Sequence, residues 1–390
     1  MKYDFDKVID RNGTAAVKLE EAKEVWGRAD LIPLWVADMD FGTAPFIVDA
    51  IRKRCECEVL GYTGKPDSYY RAIINWVKQR YDLDVTKEMI NFVPGIVPGI
   101  GMAMNSFTRP GDKVMIQPPV YHPFAWVTTR NERTLVTNPL KWGNGMYRMD
   151  LDAFREQVKG CKLFILCNPH NPGGVVWTED ELRTVAEICY EEKVLVFSDE
   201  IHADLTLPPY KHRPFATISE KAKMNSVTFM SPSKAFNMPG LAASHAIIFN
   251  EDLRARFRKF MDAGELDMGH VFAFLSVEAA YTHGTEWLDQ CLAYIQGNID
   301  YVDNFLKTHA PRIKAIRPQA SYLVWLDCRE LGLNQEALND FFADKAHLAL
   351  NDGTTFGKEG EGFMRLNIAC PRAVLEQALK QLEQAVINLK

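Results

Sequence analysis

No stretch of the 390-residue chain reaches the ~18 consecutive apolar residues that a membrane-spanning helix requires. The amino terminus, MKYDFDKVIDRNG, lacks the apolar core of a secretion signal. Positive charge is not in excess: 45 Lys and Arg stand against 51 Asp and Glu, for a formal net charge of −6. That balance supplies no broad basic surface, so neither nucleic acid nor a membrane is an expected partner. Paired C-x-x-C knuckles are missing too. Of eight cysteines only Cys55 and Cys57 are close, and a C-x-C spacing is not that of a zinc site, so no metal is expected. Cys161, Cys167 and Cys189 fall in apolar runs and read as small buried thiols. A reducing, cytoplasmic compartment fits this usage. Low-complexity tracts, internal repeats and long polar linkers are absent as well. What remains is 47% hydrophobic and 25% charged, enough for a sizeable core and against long disorder.

The middle of the chain alternates short apolar runs with helical patterns. Lys113–Gln117, Lys162–Cys167, Val194–Asp199, Ser226–Met230 and His245–Phe249 read as buried strands. Between the second and third, Thr178 and Glu181 form a capping box, and Leu182, Val185, Ala186 and Cys189 form one apolar stripe. Strand, helix, strand in this space is a βαβ unit and predicts a parallel sheet covered by helices. After Phe249 the pattern turns helical, over 251–263, 271–281 and about 286–308. The last segment mixes strand-like SYLVWLD and FMRLNIA with helices at 335–346 and 372–389. The expected fold is α/β: a large domain over 48–289 with a mostly parallel central sheet, and a smaller α+β domain from 1–47 and 290–390.

Ligands of an open parallel sheet sit beyond the carboxyl ends of its strands. Here those ends deliver Tyr121 after KVMIQ, Asn171 within NPHNPGG after KLFILC, Asp199 at the end of VLVFSD, and Lys234 after SVTFM. Singly, each has an ordinary explanation: a packed loop aromatic, a turn residue, a helix cap, a solvated charge. Together they match one chemistry. Pyridoxal phosphate needs a lysine amine for its aldehyde, an acid beside its pyridine nitrogen, a donor for its phenolate oxygen and an aromatic on its ring face. Lys234, Asp199, Asn171 and Tyr121 supply these in turn. Its phosphate needs N–H donors, which the helix start near Gly95, Ile96 and Val97 can offer, with hydroxyls from Ser231 and Ser233. The rival at that loop fails: Gly99-Ile-Gly101 opens like a dinucleotide fingerprint, but the third glycine falls at Met104.

The runs SPSKAFNMPGL, SDEIHADL and NPHNPGG resemble fold-type I pyridoxal-phosphate enzymes of the aminotransferase superfamily, in order and spacing. Leu34–Phe41 (LWVADMDF), Gly61-Tyr-Thr63, PVYHPF over 119–124 and NPHNP resemble the MalY/PatB-type cystathionine β-lyases. The resemblance implies that Lys234 is the Schiff-base lysine and the base at Cα, that Asp199 partners the pyridine nitrogen, and that Asn171 bonds the phenolate oxygen. It further implies that Tyr121 stacks on the ring and that Arg365 clamps the α-carboxylate of a small amino-acid substrate, with the Ala37 backbone lining the same pocket. Tyr62 resembles a tyrosine that reaches the neighbouring subunit's phosphate, which implies a homodimer with shared sites. The chain departs from many aminotransferases in carrying His202 where a Tyr follows the acid, Ala242 where an Arg binds phosphate, and Gly173 for Thr.

These residues lead to a carbon–sulfur β-lyase that cleaves L-cystathionine or a related cysteine S-conjugate to a thiol, pyruvate and ammonia. Lys234 and Tyr121 are the two candidates to protonate the departing sulfur. An aminotransferase shares the early steps and stands as the alternative. A regulatory binding protein on an enzyme scaffold, with a protein partner, is the second alternative, because one MalY-like member also restrains a transcription activator.

Overall fold

The structure, a computed structural model, describes residues 3–389. Its centre is a seven-stranded sheet. In chain order the strands are β1 (Ile32–Pro33), β2 (Ile90–Val93), β3 (Lys113–Ile116), β4 (Thr134–Thr137), the hairpin β5 (Lys141–Gly143) and β6 (Met146–Arg148), β7 (Cys161–Cys167), β8 (Leu195–Asp199), β9 (Ser226–Met230) and β10 (Ser244–Ile247). The large sheet has the order β2-β10-β9-β8-β7-β3-β4. The ladders β9·β8, β8·β7, β7·β3 and β3·β4 are all parallel. β8 is buried from its second residue and β9 throughout, so that Ser198, Ser226 and Thr228 are enclosed together with the apolar residues beside them.

The fifth expected strand departs from the parallel set. β10 runs antiparallel to both β9 and β2. The physical reason lies in its connection, residues 231–243, which carries only a short 3₁₀ turn at Pro239–Leu241 and no crossover helix. β4 was not apparent in the sequence, being a half-exposed edge strand.

Helix α1 (Val17–Trp26) precedes β1; α2 (Ile96–Phe107) follows β2; α3 (Glu179–Glu191) links β7 to β8. The start of α3 is the expected reciprocal cap. Thr178 Oγ1 accepts from Glu181 N at 3.2 Å, and Glu181 Oε2 accepts from Thr178 N at 2.9 Å. Gly99, from the failed dinucleotide pattern, lies inside α2, where a Cβ would come within 2.8 Å of Val93 Cγ2. Its role is close packing of helix on strand.

The second sheet is antiparallel. Its strands β11 (Lys314–Ile316), β12 (Leu323–Asp327), β14 (Asn351–Asp352) and β15 (Phe363–Asn367) lie in the order β11-β12-β15-β14. β1 pairs in parallel with β13 (Leu348–Ala349), so the amino-terminal segment joins this part of the molecule. The helix expected over 335–346 is shorter, Gln335–Asp340 with a wide turn at Phe341–Lys345, and the last helix ends at Ile387. Among the described residues, no helix is long and apolar enough to cross a membrane.

Candidate active site

In the sheet order, the chain moves outward from β3 to β4, then returns across β3 to β7 and continues the other way to β8 and β9. The reversal opens a crevice between the carboxyl ends of β3 and β7, the place where open α/β sheets bind ligands. The loops after these two strands are tied across it, Tyr121 N donating to Asn171 O at 3.0 Å.

A cavity of about 430 Å³ fills this crevice. It is lined by Gly95, Ile96 and Val97 from the start of α2, by Tyr121, Asn171, Asp199, His202, Ser233 and Lys234 from the strand ends, and by Ala37 and Arg365. Two expected residues lie elsewhere. Ser231 Oγ sits 2.7 Å from both Ala243 O and Ser233 Oγ, holding the loop rather than facing the cavity. Tyr62 is 99% exposed and borders a separate surface groove with Gly61 and Val271. The cavity also contains Trp35, His122, Asn351 and Ser244, which were not assigned from sequence. Trp35 and His122 stand within the LWVADMDF and PVYHPF motifs, the one signal that could have found them.

Lys234 Nζ donates to Ala37 O at 2.5 Å, and Tyr322 Oη donates to the same carbonyl at 3.0 Å. Burial, reinforced by the Arg365 charge, lowers the Lys234 pKa to about 8. Asp199 is buried, and its Oδ1 accepts from Ile201 N at 3.1 Å. Burial raises its carboxyl to about 7 against the opposing pull of that N–H. Such a carboxylate is a poor solitary anion and a good partner for a cation placed beside it. Burial, with Lys234 and Arg365 nearby, pushes His202 down to about 3, so its imidazole is neutral.

Arg365 projects from β15 and bridges the two sheets. Nη1 donates to Asn171 Oδ1 at 3.1 Å, while Nη2 donates to Trp35 O at 3.0 Å and Asn351 Oδ1 at 2.5 Å. Its guanidinium lies 4.7 Å from the centre of the Phe356 ring. Nε is buried without a partner, and among the described residues no carboxylate lies within ion-pairing distance. A surface salt bridge, the ordinary role for such an arginine, is therefore excluded. Because Asn171 spends its Oδ1 on Arg365, its Nδ2 is the atom left to donate elsewhere.

These residues fit pyridoxal phosphate. At Gly95, φ is 148° and a Cβ would lie 3.3 Å from Pro98 Cδ, so glycine permits the tight entry into α2 that exposes the first free N–H groups of the helix. Those groups and Ser233 can hold a phosphate, Asp199 a pyridinium, Asn171 Nδ2 a phenolate and Lys234 an aldehyde carbon.

Comparison with known proteins agrees with this geometry. Residues 29–382 match the family model for aminotransferase class I and II. The chain is 40% identical over 384 residues to cystathionine beta-lyase PatB of Bacillus subtilis (strain 168), covering 98% of this chain and 99% of the relative. It is 32% identical over 391 residues to protein MalY of Escherichia coli (strain K12), again covering 98% and 99%. The crystal structure of cystalysin from Treponema denticola, which contains a pyridoxal 5′-phosphate cofactor, superposes with a TM-score of 0.97 at 34% identity over the full length of both chains.

The raised Asp199 pKa yields a prediction for cofactor-free protein. A carboxyl whose folded pKa exceeds its unfolded value favours folding at low pH, and that advantage is lost as pH rises through about 7. Above that point ionised Asp199 opposes folding by on the order of 4 kcal/mol. Asp199→Asn should therefore melt higher than wild type at pH 8 when both lack cofactor, and the gain should shrink toward pH 4. Thermal melts across that range test it; a lower melting temperature for the variant at pH 8 would contradict it.

Proposed function

The chain belongs to the aminotransferase class I and II family; from that premise we propose that it is a pyridoxal-phosphate-dependent carbon–sulfur β-lyase acting on L-cystathionine or a related cysteine S-conjugate. One observation carries the reading: a partly buried amine (Lys234), a buried carboxylate (Asp199) and a guanidinium without an acid partner (Arg365) border one cavity at the crevice of the sheet. The similarity to a cystathionine beta-lyase over nearly the whole chain selects the lyase branch. We take residues 48–289 as the large domain, with 1–47 and 290–390 as the small one. The free thiols, six buried and two exposed, favour a reducing compartment such as the cytoplasm.

When bound, pyridoxal phosphate supplies an electron sink for negative charge developed at the substrate Cα. The residues do the rest. Arg365 holds the α-carboxylate, for which its unpartnered Nε and planar fork are suited. Asp199 would hold a proton on the pyridine nitrogen of the bound cofactor, Asn171 Nδ2 would donate to its phenolate oxygen, and Tyr121 would offer an aromatic face to its ring. The Lys234 amine, half-deprotonated near pH 8, takes the Cα proton. A thiolate then leaves Cβ with the bonding electron pair, and one water is consumed in releasing pyruvate and ammonia. Burial holds the Tyr121 hydroxyl up at about 12, so it stays protonated and can donate to the departing sulfur, as can Lys234 once it carries the proton.

An aminotransferase is the second reading, favoured by the family model itself. The two differ by a few kcal/mol in competing barriers, since each 1.36 kcal/mol is about tenfold in rate. We expect pyruvate, ammonia and a thiol from L-cystathionine with no keto acid added, measured by coupled pyruvate and thiol assays. Turnover that requires a keto-acid acceptor, with no pyruvate from sulfur substrates, would transfer the function to the second reading.

The functional unit in this proposal is a homodimer. Tyr62 stands exposed with Val59 and Leu60 between the helices Pro45–Cys55 and Asp67–Tyr81, an apolar segment suited to contact with a second copy. In that assembly Tyr62 serves the neighbour's phosphate. Tyr62→Phe and Lys234→Ala should each be impaired, and mixing them should restore activity through hybrid dimers with one wild-type site. Absence of recovery despite demonstrated subunit exchange would remove Tyr62 from the shared site.

A further inference from the structure

The segment Trp35–Phe41, whose first three residues line the cavity, is an irregular strap whose carbonyls are nearly all taken by side chains. Trp35 O accepts from Arg365, and Ala37 O from Lys234 and Tyr322. Val36 O and Asp38 O both accept from Asn367 Nδ2, at 2.6 and 2.7 Å. Met39 O and Phe41 O accept from Asn237 Nδ2 at 3.0 and 2.7 Å. The strap thus touches Arg365 and Lys234 through alternate carbonyls, those of Trp35 and Ala37.

Its other side meets a closed ring of four charges. Lys18, on the first turn of α1, has a side chain with no solvent exposure; Nζ lies 2.8 Å from Asp40 Oδ2 and 3.6 Å from Asp38 Oδ1. Arg11 completes the ring, with Nη2 2.6 Å from Asp38 Oδ2 and Nη1 3.0 Å from Asp40 Oδ1. Each carboxylate is shared by both cations. Trp35 Nε1 also donates to Lys18 O at 2.9 Å, a second tie between helix and strap. A fully buried ammonium is costly unless paired, and removing it would leave two partly buried carboxylates facing each other. The ring therefore has a defined geometry with both cations present and a repulsive one without them.

We propose that Lys18, assisted by Arg11, is a positioning residue for the active site: the four-charge ring holds the strap so that the Trp35 and Ala37 carbonyls meet Arg365 and Lys234. The proposal rests on Lys234 and Arg365 serving as read above. Lys18 touches neither substrate nor cofactor in this account; it acts through the strap and, at longer range, through its charge. Loss of the ring releases the two carbonyls together. The α-carboxylate subsite then loosens, and the amine loses its fixed acceptor. The charges around Lys234 are Arg365 and Lys18, which lower its proton affinity, and Asp38 and Asp199, which raise it. Removing Lys18 tips that balance toward the acids.

The test uses the cofactor-loaded enzyme and the variants Lys18→Met, Arg11→Met and Lys18→Met/Asp40→Asn. Amide hydrogen exchange over 35–41 should be at least tenfold faster in Lys18→Met. KM should rise tenfold or more with a smaller change in kcat, and the midpoint of the pH titration of cofactor absorbance should move upward. The double variant, with one carboxylate neutralised, should recover most of both the exchange protection and the KM. If Lys18→Met does not fold, Arg11→Met carries the same readouts with a smaller change. A drop in melting temperature with exchange over 35–41, KM and titration midpoint unchanged would overturn the proposal, leaving Lys18 a stabilising residue only. The exchange readout needs no substrate, so a failure of the ring is distinguishable from a failure of the site reading, which would appear as undiminished turnover in Lys234→Ala, and from a failure of the lyase reading, which would appear as turnover only with an added keto acid.

Discussion

Three ionisable side chains are held wholly or partly out of water around one cavity, and the architecture is arranged around making that tolerable. Asp199, Lys234 and Arg365 are each displaced by burial toward their neutral form. Among the described residues none is satisfied by a conventional ion pair. Their partners are peptide carbonyls, two amide side chains and one backbone N–H. Such a set is expensive for a fold to keep without ligands of complementary charge. A pyridinium beside Asp199, an aldehyde carbon at Lys234 and a carboxylate at Arg365, as the proposed function has them, would answer all three at once.

The fold brings these groups together from distant parts of the chain by a single topological device. The reversal between β3 and β7 gathers the loops carrying Tyr121, Asn171, Asp199 and Lys234 onto one edge. β10 inserts antiparallel next to β9, leaving β2 and the start of α2 on the same edge to offer helix N–H groups. The second sheet supplies only Arg365 and Asn351 directly, and Arg365 ties itself back to Asn171 of the first. The strap at 35–41 then closes the remaining side, so the amino-terminal segment is part of the site although it lies far from the other site residues in sequence.

What could be read from the sequence follows from how local each signal is. The α3 capping box and the buried runs of β7, β8 and β9 express local burial and hydrogen bonding, and they correspond closely to the observed elements. Asp199, Asn171, Tyr121 and Lys234 were legible because strand ends converge in any open parallel sheet. Direction of β10 was not, since pairing sense depends on the connection rather than on the strand. Lys18 was invisible for a related reason: a lysine in the first turn of an amphipathic helix reads as solvated, and only tertiary packing reveals that it is buried against Asp38 and Asp40. The carbonyls of the strap carry no side-chain signature at all. Gly173 departs from a threonine pattern for a spatial reason, as a Cβ there would lie 3.0 Å from His170 Nδ1.

The claim on which the account turns is that the Lys234 amine is the group that bonds pyridoxal phosphate. Borohydride reduction of the loaded protein, followed by proteolysis and mass spectrometry, tests it most directly. The account predicts one pyridoxyl-modified peptide, containing SPSKAFNMPGL with the label on Lys234. A label on any other lysine, or a Lys234→Ala variant that keeps the wild-type cofactor absorbance and is labelled elsewhere, would contradict it.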